Sequence, residues 1–242
     1  MNNFEKTDDF ELSIPMIIVL GLVPGIIILL FTIVFSNPVI GINFSIYLSL
    51  MLAIAFGLIP TELGIIKYFA WKNKKKLKDI ILFKEKTPLK RMVISIIVPF
   101  VIALVFFIIV SPYELKLWGN TFDFIPDWFK IYKNLREINY LKLSFILALI
   151  FNGFLGPFVE ELYFRGFLLP RMTKFGKLAP LINVILFSIY HLFSPWENMT
   201  RILAVTPLAY SVWKNKNIRI GIIIHCSLNT FFCIGTIVAL LN

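Results

Sequence analysis

Histidine and cysteine are scarce in this chain of 242 residues, which contains two of each. Cys226 and Cys233 lie in one apolar run and are poor partners for a disulfide bond, and the chain has no Cys-x-x-Cys pair. These absences exclude a disulfide-stabilised scaffold and a structural metal site built from cysteine.

Charged residues are also few, at 16% of the chain, whereas 58% of the residues are hydrophobic and 25 are Phe. Several apolar runs approach or exceed the ~20 residues that a helix needs to cross a bilayer. The sequence therefore predicts an all-α fold, a polytopic transmembrane helix bundle of about seven spans in a single integral membrane domain, residues 1–242. The predicted spans are Ile14 to Phe35, Asn43 to Ala70, Met92 to Val110, Leu141 to Met172, Leu178 to Phe193, Ile202 to Trp213 and Ile220 to Leu241.

Two of the predicted spans have unusual flanking residues or an unusual length. The first run follows an acidic segment and precedes no small-residue cleavage site, which predicts a retained span and no signal peptide. Ile202 to Trp213 is short for a full crossing, so a tilted or re-entrant segment is the alternative.

The net charge of +10 does not indicate nucleic-acid binding, because the basic residues lie at the ends of the apolar runs. Trp71 to Arg91 carries nine Lys or Arg against two acidic residues, and Arg171 to Lys177 and Lys214 to Arg219 carry three basic residues each. The positive-inside rule places these three basic loops in the cytoplasm. The prediction is a multi-pass protein of the cell membrane.

Residues Pro126 to Ile138 alternate apolar and charged side chains at helical spacing. This pattern predicts an interfacial amphipathic helix that contacts membrane lipid.

Ionisable groups inside predicted spans are typical of functional sites. Glu161 and Arg165 are four residues apart and can pair along one helix face. Glu160 points about 100° away from Glu161, toward the interior of the bundle, where it can serve as a general base.

Both histidines lie in apolar runs of the same half of the chain. Glu160 and His191 are equally far from the polar turn Thr173 to Lys177, so an antiparallel helix pair would place them at equal depth, facing each other. His225 and Asn229 share one helix face. His225 is nearer to its own basic loop and needs a ragged loop or a tilted helix to reach the same depth.

Other polar residues in these runs are interpreted as structural. Glu62 lies inside the second span with Lys67 nearby, which favours a structural role. Ser188 and Cys226 adjoin the histidines but are rotated away from them on their helices, which disfavours a nucleophilic mechanism.

Three motifs occur in order: Glu160-Glu161-x-x-x-Arg165, Phe187-x-x-x-His191 and His225-x-x-x-Asn229. Together they resemble the signature of the CPBP family of intramembrane proteases, also called the Abi family, which includes the type II CAAX prenyl endopeptidases. The resemblance covers residues 140–235, which are predicted to form the catalytic core.

The resemblance implies an intramembrane endopeptidase that cleaves a peptide or membrane protein. Glu160 would activate water with assistance from His191, while Glu161 and Arg165 would organise the site. His225 and Asn229 would either stabilise the oxyanion or help to hold a metal.

Two mechanisms remain open at the level of sequence. In one, zinc is bound by Glu160, His191 and His225, although the His-Glu-x-x-His motif of many zinc proteases is absent. In the other, the same residues act without a metal.

A non-catalytic membrane scaffold that binds a sensor or a cell-envelope protein is the alternative function, and a transporter is a weaker one. No recognition element for a prenyl group is evident, so a leader peptide, signalling peptide or membrane-protein fragment is favoured as the substrate. The sequence does not predict the oligomeric state.

Overall fold

A computed structural model describes residues 10–37, 39, 44–118, 121–126 and 141–241 of the chain. Within these ranges the regular structure is helical, and the prediction of an all-α bundle is confirmed. The eight helices in these ranges are α1 (Ile14–Ser36), α2 (Ile46–Lys72), α3 (Leu77–Ile80), α4 (Leu89–Trp118), α5 (residues 141–171), α6 (Ala179–Ile189), α7 (Asn198–Asn215) and α8 (Ile218–Leu241).

Five of these described helices are long and apolar enough to cross a membrane, namely α1, α2, α4, α5 and α8. The predicted spans Leu178 to Phe193 and Ile202 to Trp213 form α6 and α7, which are outside this set. Helix α6 has 11 residues, so it extends about 16 Å, roughly half of the hydrocarbon thickness. The described residues therefore contain five candidate spans where the sequence suggested about seven.

The predicted amphipathic helix, Pro126 to Ile138, lies almost entirely outside the described residues. Asn43, the predicted start of the second span, also lies outside the described residues, and helix α2 begins at Ile46. Ser45 precedes this helix and its hydroxyl oxygen accepts a hydrogen bond from Leu48 N, a typical N-cap.

Helix α5 departs from α-helical geometry in two π-helical segments, Ala148–Leu155 and Glu161–Leu168. In the first, Gly156 N–H donates to the carbonyl of Phe151, five residues earlier. Pro157 follows and has no N–H to donate. The carbonyls of Asn152 and Gly153 thus lose their usual helical donors, and side chains of α8 donate to them instead.

A second proline has the same effect at the other end of α5. Pro170 cannot donate to the carbonyl of Gly166, which accepts from Leu82 N at 2.9 Å. The segment that contains Leu82 also accepts from Ile218 N through the carbonyl of Phe83, at 2.8 Å. These bonds join the basic segment after α3 to the end of α5 and the start of α8.

Candidate active site

A cavity of about 500 Å³ lies inside the bundle, between α2, α4, α5, α6, α7 and α8. The walls from α2 and most of those from α4 and α7 are apolar. The polar side chains that line the cavity include Asn152, Glu160, Tyr190, His191, Ser194, Glu197, Arg201, His225 and Asn229. Glu160, His225 and Asn229 lie inside candidate spans, and all four of Glu160, His191, His225 and Asn229 line this one cavity.

Glu160 is 7% exposed and ends the short α-helical turn between the two π-helical segments of α5. Its Oε1 accepts a hydrogen bond from the hydroxyl of Tyr190. Its Oε2 lies 3.6 Å from His225 Nε2. The two oxygens of this carboxylate therefore face different partners, from α6 and α8.

Glu161 and Arg165 form the ion pair expected from their spacing, with Glu161 Oε1 3.0 Å from Arg165 Nη1 and both side chains fully buried. The guanidinium also lies over the ring of Phe187, 4.3 Å from its centroid, a cation–π contact. Glu161 Oε1 is also 3.0 Å from His225 Nδ1. The sequence did not indicate that both adjacent carboxylates would contact His225.

His225 reaches both carboxylates of α5, although it is nearer to its own basic loop in the sequence. A carboxylate only accepts hydrogen bonds, so His225 donates through Nδ1 to Glu161 and presents Nε2 toward Glu160. Asn229, one turn further along α8, donates through Nδ2 to the carbonyl of Asn152 at 3.0 Å. Because a carboxamide has two N–H groups, Asn229 retains a second donor.

His191 follows the end of α6 and lies just beyond its last turn. Its Nδ1 is 2.7 Å from the carbonyl oxygen of Phe187, which can only accept, so Nδ1 carries the proton. Nε2 is left as the ring nitrogen with a free lone pair. No hydrogen bond joins His191 to Glu160 among the described residues; the ring of Tyr190 lies beside His191, with centroids 4.2 Å apart, and its hydroxyl contacts Glu160.

One end of the cavity carries a charged cluster that the sequence analysis missed. Arg201 is 7% exposed and its Nη2 lies 2.8 Å from Ser194 Oγ and 3.3 Å from Glu197 Oε2. Burial raises the pKa of the Glu197 carboxyl, and the positive charge of Arg201 opposes this rise. The sequence signal for this cluster was Arg201, a charged residue directly before the apolar run Ile202 to Trp213.

Glu160, His191 and His225, the three side chains expected to bind zinc, all line this cavity. Zinc needs three protein ligands whose donor atoms all lie about 2.0–2.2 Å from the ion. Glu160 Oε1 and His225 Nδ1 have other partners, which leaves Glu160 Oε2 and His225 Nε2 as their remaining donor atoms. Among the described residues, no three His, Cys, Asp or Glu side chains are grouped closely enough to hold a metal.

Neither candidate nucleophile is directed at a histidine. Ser188 Oγ lies 3.0 Å from Asn198 Oδ1, and Cys226 Sγ lies 3.6 Å from the carbonyl of Phe154. These contacts agree with the helical rotations that disfavoured a nucleophilic mechanism.

Glu62 is fully buried, and neither of its carboxylate oxygens has a hydrogen-bond partner among the described residues. Lys67 is exposed, so the two residues lie on different faces of α2 and the expected proximity does not explain the position of Glu62. Electrostatic interactions instead link Glu62 to Glu160, Glu161 and Arg165.

Residues 142–231 match the model of a family described as type II CAAX prenyl endopeptidase Rce1-like. The match covers all three motifs, and it confirms the resemblance to CAAX-type intramembrane proteases that they indicated. In general terms, it supports an intramembrane endopeptidase that acts on a peptide or protein in a membrane. Neither a curated protein nor a solved structure matches the chain.

Proposed function

We propose that this protein is an intramembrane endopeptidase in which Glu160 activates a water molecule for attack on a peptide bond, without a metal. The observation that carries the proposal is the convergence of Glu160, His191, His225 and Asn229 on a single cavity with largely apolar walls. In such surroundings fixed dipoles and charges act more strongly on a reacting group than they do in water.

The first step is attack by water on the carbonyl carbon of the peptide bond. Glu160 Oε2 takes one proton from the water as the carbon–oxygen bond forms. His191 Nε2, which has a free lone pair, accepts a hydrogen bond from the other water hydrogen and so fixes the orientation of the nucleophile.

The attack produces a tetrahedral intermediate whose oxygen is negatively charged. Asn229 can donate its second N–H to this oxyanion, because the first N–H is held by Asn152. Glu161 holds the His225 ring by accepting from Nδ1, so His225 can donate through Nε2 to the oxyanion only as an imidazolium, with a proton on each nitrogen. Arg165 fixes Glu161 in turn.

The second step breaks the carbon–nitrogen bond. The proton held by Glu160 moves to the departing amine, the oxyanion re-forms a carbonyl, and the products are a new carboxyl terminus and a new amino terminus. Glu160 is then a carboxylate again. Each proton and electron pair is accounted for without a further reactant.

Two observations support the metal-free version. The described His, Cys, Asp and Glu side chains are not grouped as a metal requires. His191 donates through Nδ1 to a backbone carbonyl, which suits an acceptor of a water hydrogen bond through Nε2.

The walls of the cavity favour an apolar peptide segment as the substrate. The side chains that α2 contributes are Tyr47, Leu50, Met51, Ile54 and Leu58. We therefore propose that the substrate is a membrane-associated peptide or protein that presents an extended, hydrophobic stretch to Glu160.

The test is a comparison of peptide termini in membranes from cells that produce the parent protein or the Glu160→Gln variant. New termini should appear with the parent and be lost with E160Q, because removing a general base typically lowers the rate by about 10²–10⁴-fold. Glu85→Gln is the matched control: Glu85 is exposed, lies outside the cavity and contacts only Lys216 among the charged groups described. It should give the parental termini.

Two further arms of this experiment separate the alternatives. His191→Ala should lose the same termini as E160Q, and purified parent protein that has been stripped of metal by a chelator should keep its activity. If E160Q and H191A both produce the parental termini and phenotype at equal abundance, the protein acts as a scaffold. If activity is lost on chelation and restored by zinc, the metal-free mechanism is wrong while the peptidase function stands.

A further inference from the structure

Tyr190 contacts both Glu160 and His191 of the proposed site, although the motif Phe187-x-x-x-His191 leaves its position unspecified. It directly follows Ile189, the last residue of α6, and precedes His191. The side chain is fully buried and lines the cavity. Its hydroxyl crosses to α5 and donates to Glu160 Oε1.

The phenol ring is held tightly on several sides. The rings of Phe164, Phe187 and His191 surround it, with centroid distances of 5.1, 5.4 and 4.2 Å. On the main-chain side, α1 approaches so closely that a Cβ at Gly25 would clash with the carbonyl oxygen of Tyr190. The hydroxyl is therefore fixed before any substrate binds, and no side-chain entropy is lost in the reaction.

We propose that Tyr190 is a positioning residue that holds Glu160 in its reactive orientation, an inference that rests on the proposed function. With Oε1 accepting from Tyr190, the carboxylate cannot rotate freely, and Oε2 is the oxygen left to take the proton from water. Oε2 is also the oxygen nearest to His225 Nε2, at 3.6 Å. Tyr190 thus directs Oε2, the oxygen that accepts the proton, toward the side of the cavity where the oxyanion donors Asn229 and His225 lie.

Tyr163 offers a matched comparison within the same core. It is also fully buried and also packs against Phe164, at 5.3 Å between centroids. Its hydroxyl donates to the backbone carbonyl of Leu20 at 2.8 Å and not to a carboxylate. Replacing either tyrosine by phenylalanine removes one buried hydroxyl and one hydrogen bond, but only at Tyr190 does that bond end on Glu160.

The kinetic test compares Tyr190→Phe and Tyr163→Phe in purified protein in lipid nanodiscs. The probe is a quenched fluorescent peptide with the cleavage sequence found from the comparison of termini. Y190F should lower kcat by about 10- to 100-fold, because hydrogen bonds to charged groups are the stronger class, and leave KM within about twofold. Y163F should leave both constants within about twofold of the parent, whatever its loss of stability.

A second variant tests whether Tyr190 acts through Glu160. Glu160→Asp shortens the side chain by one methylene and withdraws the carboxylate from the phenol, so E160D and the double variant E160D/Y190F should have equal rates. If Y190F lowers the rate of E160D as much as it lowers the rate of the parent, Tyr190 acts independently and the proposal is wrong. A Y190F kcat no lower than that of Y163F would also overturn it.

Infrared difference spectroscopy gives a readout that needs no substrate. The carboxylate band that disappears in E160Q should shift in Y190F and stay in place in Y163F. An unshifted band in Y190F would refute the hydrogen bond, and with it the positioning role, even if peptide cleavage is established. If the band shifts but E160Q cleaves the probe as fast as the parent does, both the hydrolytic role of Glu160 and the positioning role fail.

Discussion

At the scale of single residues, Glu161 and Glu62 are two fully buried carboxylates with different surroundings. Glu161 has a buried cation, Arg165, and an imidazole as partners. Glu62 is equally buried, and neither of its oxygens has a hydrogen-bond partner among the described residues. Burial alone therefore does not indicate how much each carboxylate contributes to stability; the partners do.

The same substitution at the two positions should affect stability to different extents. Glu161→Gln leaves the Arg165 guanidinium buried without its counter-ion and should lower the free energy of unfolding by about 3–5 kcal/mol. Glu62→Gln removes no hydrogen bond seen among the described residues and should change it by less than about 1 kcal/mol. Denaturant or thermal unfolding in a mild detergent measures both variants. An equal loss in E62Q would show that Glu62 has a strong partner.

At the scale of helices, α5 is interrupted at two points along its length. Pro157 and Pro170 remove N–H donors, and the freed carbonyls accept from Asn229 and Thr230 of α8 and from Leu82. The backbone of α5 is therefore bonded to its neighbours at both ends of the segment that carries Glu160. This arrangement fixes the depth of Asn229 relative to Glu160.

The contact between α8 and α5 depends on the small size of Gly221. A Cβ at this position would clash with Glu161 Oε2 and approach Val212 Cγ2 at 2.9 Å, whereas a Cβ at Gly235, on the same helix, would meet nothing within 4 Å. Gly221→Ala should therefore displace Glu161 from Arg165 and His225.

We expect G221A to lower both the unfolding temperature and the cleavage rate. G235A should keep the cleavage rate and should be as stable as the parent or slightly more stable, since alanine is favoured over glycine in a helix by about 0.5–1 kcal/mol. Unfolding scans and cleavage assays on the two variants in the same detergent provide the measurement. Parental activity and stability in G221A would contradict the close approach of α8 to Glu161.

At the scale of the whole molecule, the pair α6 and α7, which is not among the candidate spans, does not alter the predicted topology. Helix α6 follows the basic turn Arg171 to Lys177, and α7 ends in the basic segment Lys214 to Arg219. The first turn of α7 meets the far end of α4, where the Glu114 carboxylate accepts from Met199 N and Thr200 N. The pair therefore starts and ends on the same side of the membrane. Whether it counts as two spans or as none, every other loop is predicted on the same side as before.

Cysteine labelling tests this topology. Lys76 and Thr121 are exposed residues beyond opposite ends of α4, so the positive-inside rule predicts a cytoplasmic Lys76 and an external Thr121. A membrane-impermeant maleimide should label Thr121→Cys in intact cells and Lys76→Cys only after permeabilisation. The parent protein is the control, because both of its own cysteines are buried. The reverse labelling pattern would invert the proposed orientation.

Much of the architecture could be predicted from the sequence because it depends on local properties. The length of an apolar run determines whether a helix can cross a bilayer, and spacing by four residues places Glu161 beside Arg165. Counting from the turn Thr173 to Lys177 placed His191 in the same cavity as Glu160. Five of the seven predicted spans form helices long and apolar enough to cross a membrane, and the other two form α6 and α7, which are outside this set.

The amino-acid sequence by itself determined the helical class, the membrane environment and the candidate residues for the chemistry. Only the tertiary structure decided that Tyr190 contacts Glu160, that His225 contacts both carboxylates, and that Glu62 lies beside the same cluster and away from Lys67. The physical reason is that these contacts join helices far apart in the chain. Helix tilt, π-helical turns and close packing at glycines set their geometry, and none of these leaves a periodic signal within a single segment.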